Sequence, residues 1–264
     1  MAKREFIPAE QVVEIENFIK QYFAANGNPD TKAIIGISGG KDSTIAAALL
    51  VRALGSERVL GVMMPCGVQN DIHDAQEVCD ILDIEAVTVN IGDAMKALTD
   101  AMPGGFSSMT DAYLTNTPAR LRMATLYGIA ANVGGRVCNT GNASEFFIGY
   151  TTKYGDLAGD FALLRNLTVR EIYAIGDYLE LPAHLVYKKP ADGMSGKTDE
   201  DKTGIPYDAI DNYLIDGILP EMEVYEKMMA AHNRNIHKNV ITLPMPNRVG
   251  PYLRQNHFED PWAF

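Results

Sequence analysis

The sequence predicts an α/β protein with a doubly wound, mostly parallel sheet flanked by helices. Three short apolar runs, Ala33 to Ile37, Val59 to Met63 and Ala86 to Val89, have the length and β-branched content of buried parallel strands. Segments with helical periodicity separate them. Such an alternation of strand and helix is typical of a parallel sheet with helices on its faces.

Helices are predicted before, between and after these strands. Apolar residues recur at helical spacing from Ala9 to Ala25, ahead of the first strand. Helices from Ser43 to Leu54 and from Asp71 to Leu82 follow the first and second strands. The second half continues with a helix, a strand and a helix, at Pro118 to Val133, Arg136 to Asn139 and Thr168 to Leu179. We expect residues 1–264 to form a single domain, since 264 residues suit one large domain.

Composition disfavours several classes of function. The chain is 47% hydrophobic and 22% charged, as in ordinary globular proteins, and its net charge of −11 with scattered basic residues disfavours a nucleic-acid partner. No apolar run reaches the roughly 18 residues of a membrane span, and the N-terminus lacks the apolar stretch of a secretory signal. We therefore expect a cytoplasmic protein without a membrane partner.

The cysteines point to the same compartment. Cys66, Cys79 and Cys138 are odd in number, and no two have C-x-x-C spacing. This pattern argues against a disulfide framework and against a structural zinc site, and it fits a reducing environment.

Two loops stand out by composition. The segment from Met102 to Ser108 contains Pro-Gly-Gly, and the segment from Lys188 to Gly204 is polar and rich in charge and glycine. Connections as long as the second are usually functional or disordered. We predict that residues 188–204 form a mobile lid over a ligand site.

The residues most informative about chemistry are Gly36, Ile37, Ser38, Gly39, Gly40, Lys41, Asp42 and Ser43. They lie where the first predicted strand ends and a helix begins, which is the usual ligand position in an open α/β sheet. Glycines let backbone N–H groups approach a ligand, and the N-terminus of the helix favours an anion. Phosphate would repel Asp42 unless a cation lay between them, which implies Mg²⁺. We predict a phosphate or pyrophosphate site here.

This loop differs from the best-known phosphate loops. It matches neither the Walker A pattern nor the dinucleotide fingerprint G-x-G-x-x-G. It resembles the SGGxDS loop of the N-type ATP pyrophosphatases, whose members cleave ATP between the α- and β-phosphates. The resemblance implies the adenine-nucleotide alpha-hydrolase-like fold, with ATP as co-substrate.

The second half of the chain resembles one branch of that superfamily. A block from Asn139 to Glu145, a block from Gly149 to Asp156 and then Asp160 are similar to the signature of the NAD synthetases. Upstream and downstream segments at Ala119 to Arg122, Met64 to Gln69 and His237-Lys238 are similar to other motifs of the same family. The resemblance covers most of the chain and implies a homodimer that acts on deamido-NAD, ATP and ammonia.

The resemblance also implies roles for individual residues. Glu145 would share Mg²⁺ with Asp42, and Thr140 would contact ATP. Asp42, Lys153 and Asp160 would be catalytic. The residues implied to hold deamido-NAD are Arg120, Lys153, Asp160, His237 and Lys238.

Several positions depart from the family pattern. Val169 stands where many members carry a lysine that faces ATP, and we expect the next residue, Arg170, to contact ATP instead, although its side chain leaves the helix about 100° further round. Lys41 replaces a common glutamine, which we expect to add positive charge near the phosphates. Ala191-Asp192 stands where a serine or threonine is usual, and Lys189 and Lys197 are alternative lid cations.

The nitrogen donor is expected to be free ammonia, because the predicted fold uses the whole chain and leaves no room for a glutaminase domain. We expect an acyl-adenylate intermediate and release of AMP and pyrophosphate, without a covalent enzyme intermediate. Two alternatives remain: another adenylating pyrophosphatase, such as a tRNA-modifying enzyme, and a non-enzymatic adenine-nucleotide sensor. The first would favour a basic face or paired cysteines, and the second has no use for paired carboxylates at Asp42 and Glu145.

Overall fold

The structure is a computed structural model, and it describes residues 5–69, 71–102, 109–188 and 198–240. Its sheet has five parallel strands in the order β3-β2-β1-β4-β5. The strands are β1 (Ala33–Gly36), β2 (Val59–Met63), β3 (Glu85–Thr88), β4 (Arg136–Asn139) and β5 (Phe161–Ala162). This confirms the predicted fold class. The order reverses between β1 and β4, so the crevice for a ligand is expected at their carboxyl ends.

Eleven α-helices accompany these strands in the described ranges. They are α1 (Pro8–Asn26), α2 (Lys41–Leu54), α3 (Ile72–Ile81), α4 (Gly92–Asp100), α5 (Asp111–Val133), α6 (Ala143–Ile148), α7 (Val169–Tyr178), α8 (Ala183–Val186), α9 (Asp199–Thr203), α10 (Tyr207–Asp211) and α11 (Met222–Asn235). None of them has the length and hydropathy needed to cross a membrane.

Helices cover both faces of the sheet, as the buried strands require. On one face α1, α2, α3 and α7 pack against the sheet through a large apolar cluster. On the other face, Met123, Leu126 and Ala130 of α5 pack against Ile34 of β1 and Val137 of β4. A separate apolar cluster joins α6, α10 and α11 beside the sheet. The central strands β1 and β2 are almost wholly buried, which explains their uninterrupted apolar sequences.

One predicted helix needs correction, and the predicted lid is partly helical. The helix predicted from Pro118 begins at Asp111, where Thr110 caps it by accepting a hydrogen bond from the Tyr113 N–H at 3.2 Å. Pro118 therefore lies inside the helix, where it removes one backbone donor. Part of the predicted lid is also ordered as helix α9, with Thr198 and Asp201 forming a capping box.

Some predicted segments fall outside the described residues. These are residues 103–108 of the first loop and residues 189–197 of the lid, including Lys189, Ala191, Asp192 and Lys197. The mobility of the lid therefore stays a prediction.

Candidate active site

A cavity of about 420 Å³ opens at the carboxyl ends of β1 and β4, where the strand order reverses. Residues from both halves of the chain line it. From the glycine loop these are Gly36, Ile37, Ser38, Gly40, Lys41, Asp42 and Ser43, and from the segment after β4 they are Asn139, Thr140, Gly141 and Glu145. The structure thus brings the two sequence motifs, about 100 residues apart, to one cavity.

The glycine loop is held in shape by its own hydroxyl groups. The Ser43 hydroxyl donates to the Gly40 carbonyl at 3.1 Å and accepts from the Ser38 N–H at 3.2 Å, and the Thr44 hydroxyl donates to the same carbonyl at 2.8 Å. Gly39 has φ +74°, a conformation that favours glycine. The hydrogen bonds of these hydroxyl groups stabilise the loop itself.

The loop leads directly into a helix N-terminus that suits an anion. Gly40 is the N-cap residue of α2, and no side chain caps that end of the helix in the described chain. Its first N–H groups and the helix dipole therefore face the loop without a side-chain acceptor. This arrangement fits a phosphate, as in other sites at the N-terminus of a helix.

Asp42 and Glu145 lie together, and Asn142 connects them. The Asn142 side-chain amide donates to Asp42 Oδ1 at 3.2 Å, and its backbone N–H donates to Glu145 Oε2 at 3.2 Å. Asn142 is the N-cap of α6, and its Oδ1 accepts from the Glu145 N–H at 2.9 Å, which completes a capping box. Burial, together with the negative charge of Asp42, raises the pKa of Glu145 to about 8.

Lys41 lines the cavity, but its side chain is paired within the protein, so its contact with phosphate stays a prediction. Its side chain is 2% exposed, and its ammonium group contacts Asp42 Oδ2 at 2.8 Å. The ammonium nitrogen also lies 5.8 Å from the centre of the Tyr207 ring. The neighbouring carboxylates raise the pKa of Lys41 although burial by itself would lower it. The charge of Lys41 is therefore matched by Asp42 within the protein.

Two cavity residues, Asp156 and Arg122, received no role in the sequence prediction. Asp156 Oδ1 accepts the Thr152 N–H at 2.5 Å, and burial raises the pKa of this carboxyl. Arg122 Nε donates to the Met64 carbonyl at 3.0 Å, and burial lowers the pKa of its guanidinium. Both residues belong to motifs that the sequence displayed, so the signal was present, but only the fold shows that they line the cavity.

Four of the residues predicted to hold the dinucleotide form a second cluster, outside the lining of this cavity. Arg120 Nε donates to the Lys153 carbonyl at 3.2 Å, and Lys153 Nζ donates to the His237 carbonyl at 3.1 Å. Lys238 Nζ donates to the Gly149 and Thr151 carbonyls, both at 2.7 Å. The structure therefore brings Arg120, Lys153, His237 and Lys238 together.

Asp160 has different partners. Its Oδ2 accepts the Val137 N–H at 2.7 Å, and its Oδ1 accepts from the Tyr127 hydroxyl at 3.3 Å. These contacts hold the residue before β5 against β4 and α5. Neither Asp160 nor Lys153 lines the cavity, so the catalytic roles suggested for them stay predictions.

Thr140 and Arg170, the other expected ATP contacts, differ in position. Thr140 lines the cavity beside Asn139. Arg170 does not line the cavity. Its guanidinium instead donates to Asn212 Oδ1 at 3.1 Å and pairs with Asp216 Oδ2 at 3.0 Å. Val169 is buried in the apolar cluster of α6, α10 and α11, which explains an apolar residue at this position. The contact of Arg170 with ATP stays a prediction.

The chain is similar to known proteins in both sequence and fold. A sequence profile described as NAD synthase matches residues 11–247. Among curated relatives, an NH(3)-dependent NAD(+) synthetase of Thermococcus kodakarensis is 39% identical over 74% of this chain and 77% of its own length. One of Alkaliphilus metalliredigens is 34% identical over 90% of this chain and 98% of its own length.

Two solved structures are also similar to this chain. One is described as an NMN synthetase from Francisella tularensis, with 33% identity, a TM-score of 0.81 and coverage of 92% of this chain and 100% of that one. The other is an NH3-dependent NAD synthetase from Campylobacter jejuni, with 26% identity, a TM-score of 0.73 and coverage of 90% and 98%.

Proposed function

Because the chain belongs to the NAD synthase family, we propose that it amidates deamido-NAD to NAD, with ATP as co-substrate and ammonia as nitrogen donor. The observation that carries this proposal is the cavity itself. There the glycine loop, the N-terminus of α2 and the carboxylates of Asp42 and Glu145 meet. This combination suits the phosphates of ATP and a divalent cation.

The first proposed step is adenylation. A nicotinate carboxylate oxygen of deamido-NAD attacks the α-phosphorus of ATP, the bond between the α-phosphorus and the bridging oxygen breaks, and pyrophosphate leaves. The backbone N–H groups at the start of α2 bind the phosphates and hold them in line for attack. The acyl-adenylate is the activated form of the carboxylate that amide formation requires.

Magnesium fits the donors that the structure supplies. Asp42 and Glu145 are hard oxygen ligands in one cavity, and Mg²⁺ typically uses one or two carboxylates together with substrate phosphates and water. No cluster of three or more metal-binding side chains occurs among the described residues, so phosphate oxygens would complete the shell. Bound there, the ion would neutralise charge on the leaving pyrophosphate.

The second proposed step is transfer to ammonia. The nitrogen attacks the acyl carbon, the bond to the AMP oxygen breaks, and one proton must leave the nitrogen. Asp156 is suited to accept it, because it lines the cavity, burial raises its pKa, and Glu145, the other buried carboxyl there with a raised pKa, is assigned to the metal. Arg122, also on the cavity wall, is suited to an anionic group of a substrate.

An assay of nitrogen donors tests the function. The purified protein is incubated with deamido-NAD and Mg-ATP, with either ammonium or glutamine, and NAD, AMP and pyrophosphate are measured. We expect one AMP and one pyrophosphate for each NAD formed with ammonium. Turnover with glutamine alone would refute the assignment of ammonia, and nucleotide binding without AMP release would indicate a sensor.

A second substrate is favoured by one comparison. The similar structure from Francisella tularensis is described as an NMN synthetase, and its whole chain is covered by this one. The same amidation on nicotinate mononucleotide would give NMN. Parallel measurement of kcat/KM for deamido-NAD and for nicotinate mononucleotide decides between them, since the preferred acid has the higher value.

The remaining expectations are part of the proposal. We infer a homodimer in the cytoplasm, with no nucleic-acid or membrane partner. The three cysteines, odd in number and without C-x-x-C spacing, support a reducing compartment.

A further inference from the structure

The pair of carboxylates at the proposed metal site already has a cation of its own. Lys41 Nζ lies 2.8 Å from Asp42 Oδ2, and the lysine side chain is among the largest that are fully buried. Transfer of an ammonium group from water into a protein interior is unfavourable unless an opposite charge compensates it. The carboxylates of Asp42 and Glu145 therefore compensate the positive charge of Lys41.

The surroundings of Lys41 keep its ammonium group in place. The Tyr207 ring lies on one side, 5.8 Å from the nitrogen, and Tyr207 is itself 7% exposed. Position 41 is also the first residue of α2, so its backbone is fixed by the helix. Residue 41 lines the cavity, and a lysine enclosed in this way holds its charge beside Asp42.

Both oxygens of Asp42 are oriented before any metal ion arrives. Oδ2 accepts from Lys41, and Oδ1 accepts from the Asn142 amide at 3.2 Å. Each carboxylate oxygen has a second lone pair, so both contacts are compatible with metal binding. With all three groups ionised, as metal binding requires, the charge of Lys41, Asp42 and Glu145 together is −1, compared with −2 for the two carboxylates alone.

We propose that Lys41 is a positioning residue that acts as a built-in cation for Asp42 and Glu145. It orients Asp42, compensates the repulsion between the two carboxylates, and weakens their attraction for a divalent cation until the phosphates of ATP contribute further negative charge. Metal binding is then coupled to binding of ATP. This inference rests on the proposed metal role of Asp42 and Glu145.

The test compares metal binding without nucleotide. Lys41→Gln introduces the residue common in similar loops, and Lys41→Met is a second uncharged variant in case the first folds poorly. Binding of Mn²⁺ is measured by the electron paramagnetic resonance of the free ion, and the melting temperature is recorded with and without Mg²⁺. We expect Lys41→Gln to bind Mn²⁺ at least about tenfold more tightly than the natural chain, because one nearby positive charge has been removed. The stabilisation by Mg²⁺ should increase in parallel.

Two further variants test whether the change in Mn²⁺ affinity arises at the proposed metal site. Lys41→Gln combined with Glu145→Gln also removes a proposed metal ligand and should bind Mn²⁺ more weakly than Lys41→Gln alone. Lys32→Gln removes an exposed lysine that pairs with Glu85 at 2.6 Å, and it should leave metal binding unchanged. A lysine with a purely structural role would alter melting temperature in Lys41→Gln but not affinity for Mn²⁺.

The outcomes distinguish this inference from the proposed function. If the natural chain binds Mn²⁺ in the presence of ATP, and Lys41→Gln and Lys41→Met bind nucleotide-free Mn²⁺ no more tightly than it does, the role of Lys41 is wrong and the metal site stands. If the natural chain binds no Mn²⁺ even with ATP, the metal site itself is wrong, and the role of Lys41 falls with it.

Discussion

At the scale of single residues, the wall of the cavity carries both an acidic and a basic side chain. Asp156 and Arg122 both line it, and the charge of Asp156 partly offsets the effect of burial on Arg122. The Asp156 carboxyl also accepts a hydrogen bond from the Thr152 N–H. A carboxyl group whose pKa is raised by burial is a better proton acceptor from ammonium than an exposed one.

Asp156→Asn tests this role. The amide can still accept the Thr152 N–H, but it cannot take a proton. We expect kcat for NAD formation to fall about 100-fold, a usual contribution of a general base. Exchange of pyrophosphate into ATP with deamido-NAD present, which reports adenylation alone, should change much less.

The exposed residue Asp80, which accepts from the Gln76 amide, provides the control. Asp80→Asn should leave both rates as they are. Equal losses in both steps for Asp156→Asn would mean that Asp156 only holds the loop, and the proton acceptor would have to be another group.

At the scale of elements, helix ends near the site are joined by buried polar contacts. Asp211 of α10 accepts the Arg170 N–H of α7 at 2.7 Å and the Ser144 hydroxyl of α6 at 2.5 Å. The Ser144 oxygen in turn accepts the Val169 N–H at 3.2 Å. Asp211 thus connects three helices, one of which carries Glu145, and it satisfies a backbone donor at the N-terminus of α7.

This contact has a predicted pH dependence. Burial raises the pKa of Asp211 to about 6 in the folded protein, from 3.8. A raised acid pKa contributes stability that is complete below the unfolded pKa and is lost as the pH rises through the folded pKa. Between pH 4 and pH 7 the free energy of unfolding should therefore lose about 3 kcal/mol from this group.

Asp211→Asn removes the titrating group. We expect the free energy of unfolding of the variant to rise, relative to the natural chain, by about 3 kcal/mol between pH 4 and pH 7. Urea denaturation of both proteins at several pH values measures it. A difference that stays constant with pH would contradict the assigned pKa.

The glycine loop makes a close contact with α3 that a side chain would disrupt. A Cβ on Gly39, which has φ +74°, would lie 2.6 Å from Asp74 Cβ and 2.8 Å from the Ala75 nitrogen. Gly67 has a similar φ of +79° but open space around it. We expect Gly39→Ala to cost about 2 kcal/mol more than Gly67→Ala, because only Gly39→Ala adds a steric clash to backbone strain. Urea denaturation gives both values, and equal costs would show that the loop moves aside.

At the scale of the whole molecule, the predicted dimer needs an exposed apolar surface. The apolar stripe of α1, which includes Val12, Ile15 and Ile19, is buried in the core of the chain itself. Helix α5 instead exposes Leu114, Tyr127 and Val133. Helix α5 is therefore a better candidate for the interface than α1.

Sedimentation equilibrium tests the assembly. We expect the mass of two chains for the natural protein and a shift towards one chain for Leu114→Glu combined with Val133→Glu, since burying these charges is unfavourable. Val13→Glu places the same charge at an exposed position of α1 and should leave the dimer intact. A monomer at all concentrations would refute the dimer, and dissociation by Val13→Glu alone would place the interface on α1.

Local sequence was sufficient for most of the sheet and its main helices. Val59–Met63 and Arg136–Asn139 agree with the predicted strands residue for residue. The first is recognisable because a strand buried on both faces has a continuous apolar sequence bounded by turns. Strand β5, Phe161–Ala162, was missed because two residues have no periodicity. Helix α6 was missed for a similar reason, being six residues long.

The sequence by itself determined that a glycine loop joins a buried strand to a helix N-terminus, since both depend on neighbouring residues. Only the tertiary structure decided how charges pair around that loop. Asp42 meets Asn142, 100 positions later, and Lys41 is enclosed by Tyr207. Whether a lysine faces a ligand or pairs with a buried carboxylate depends on desolvation and on contacts between distant segments, which local pattern does not contain.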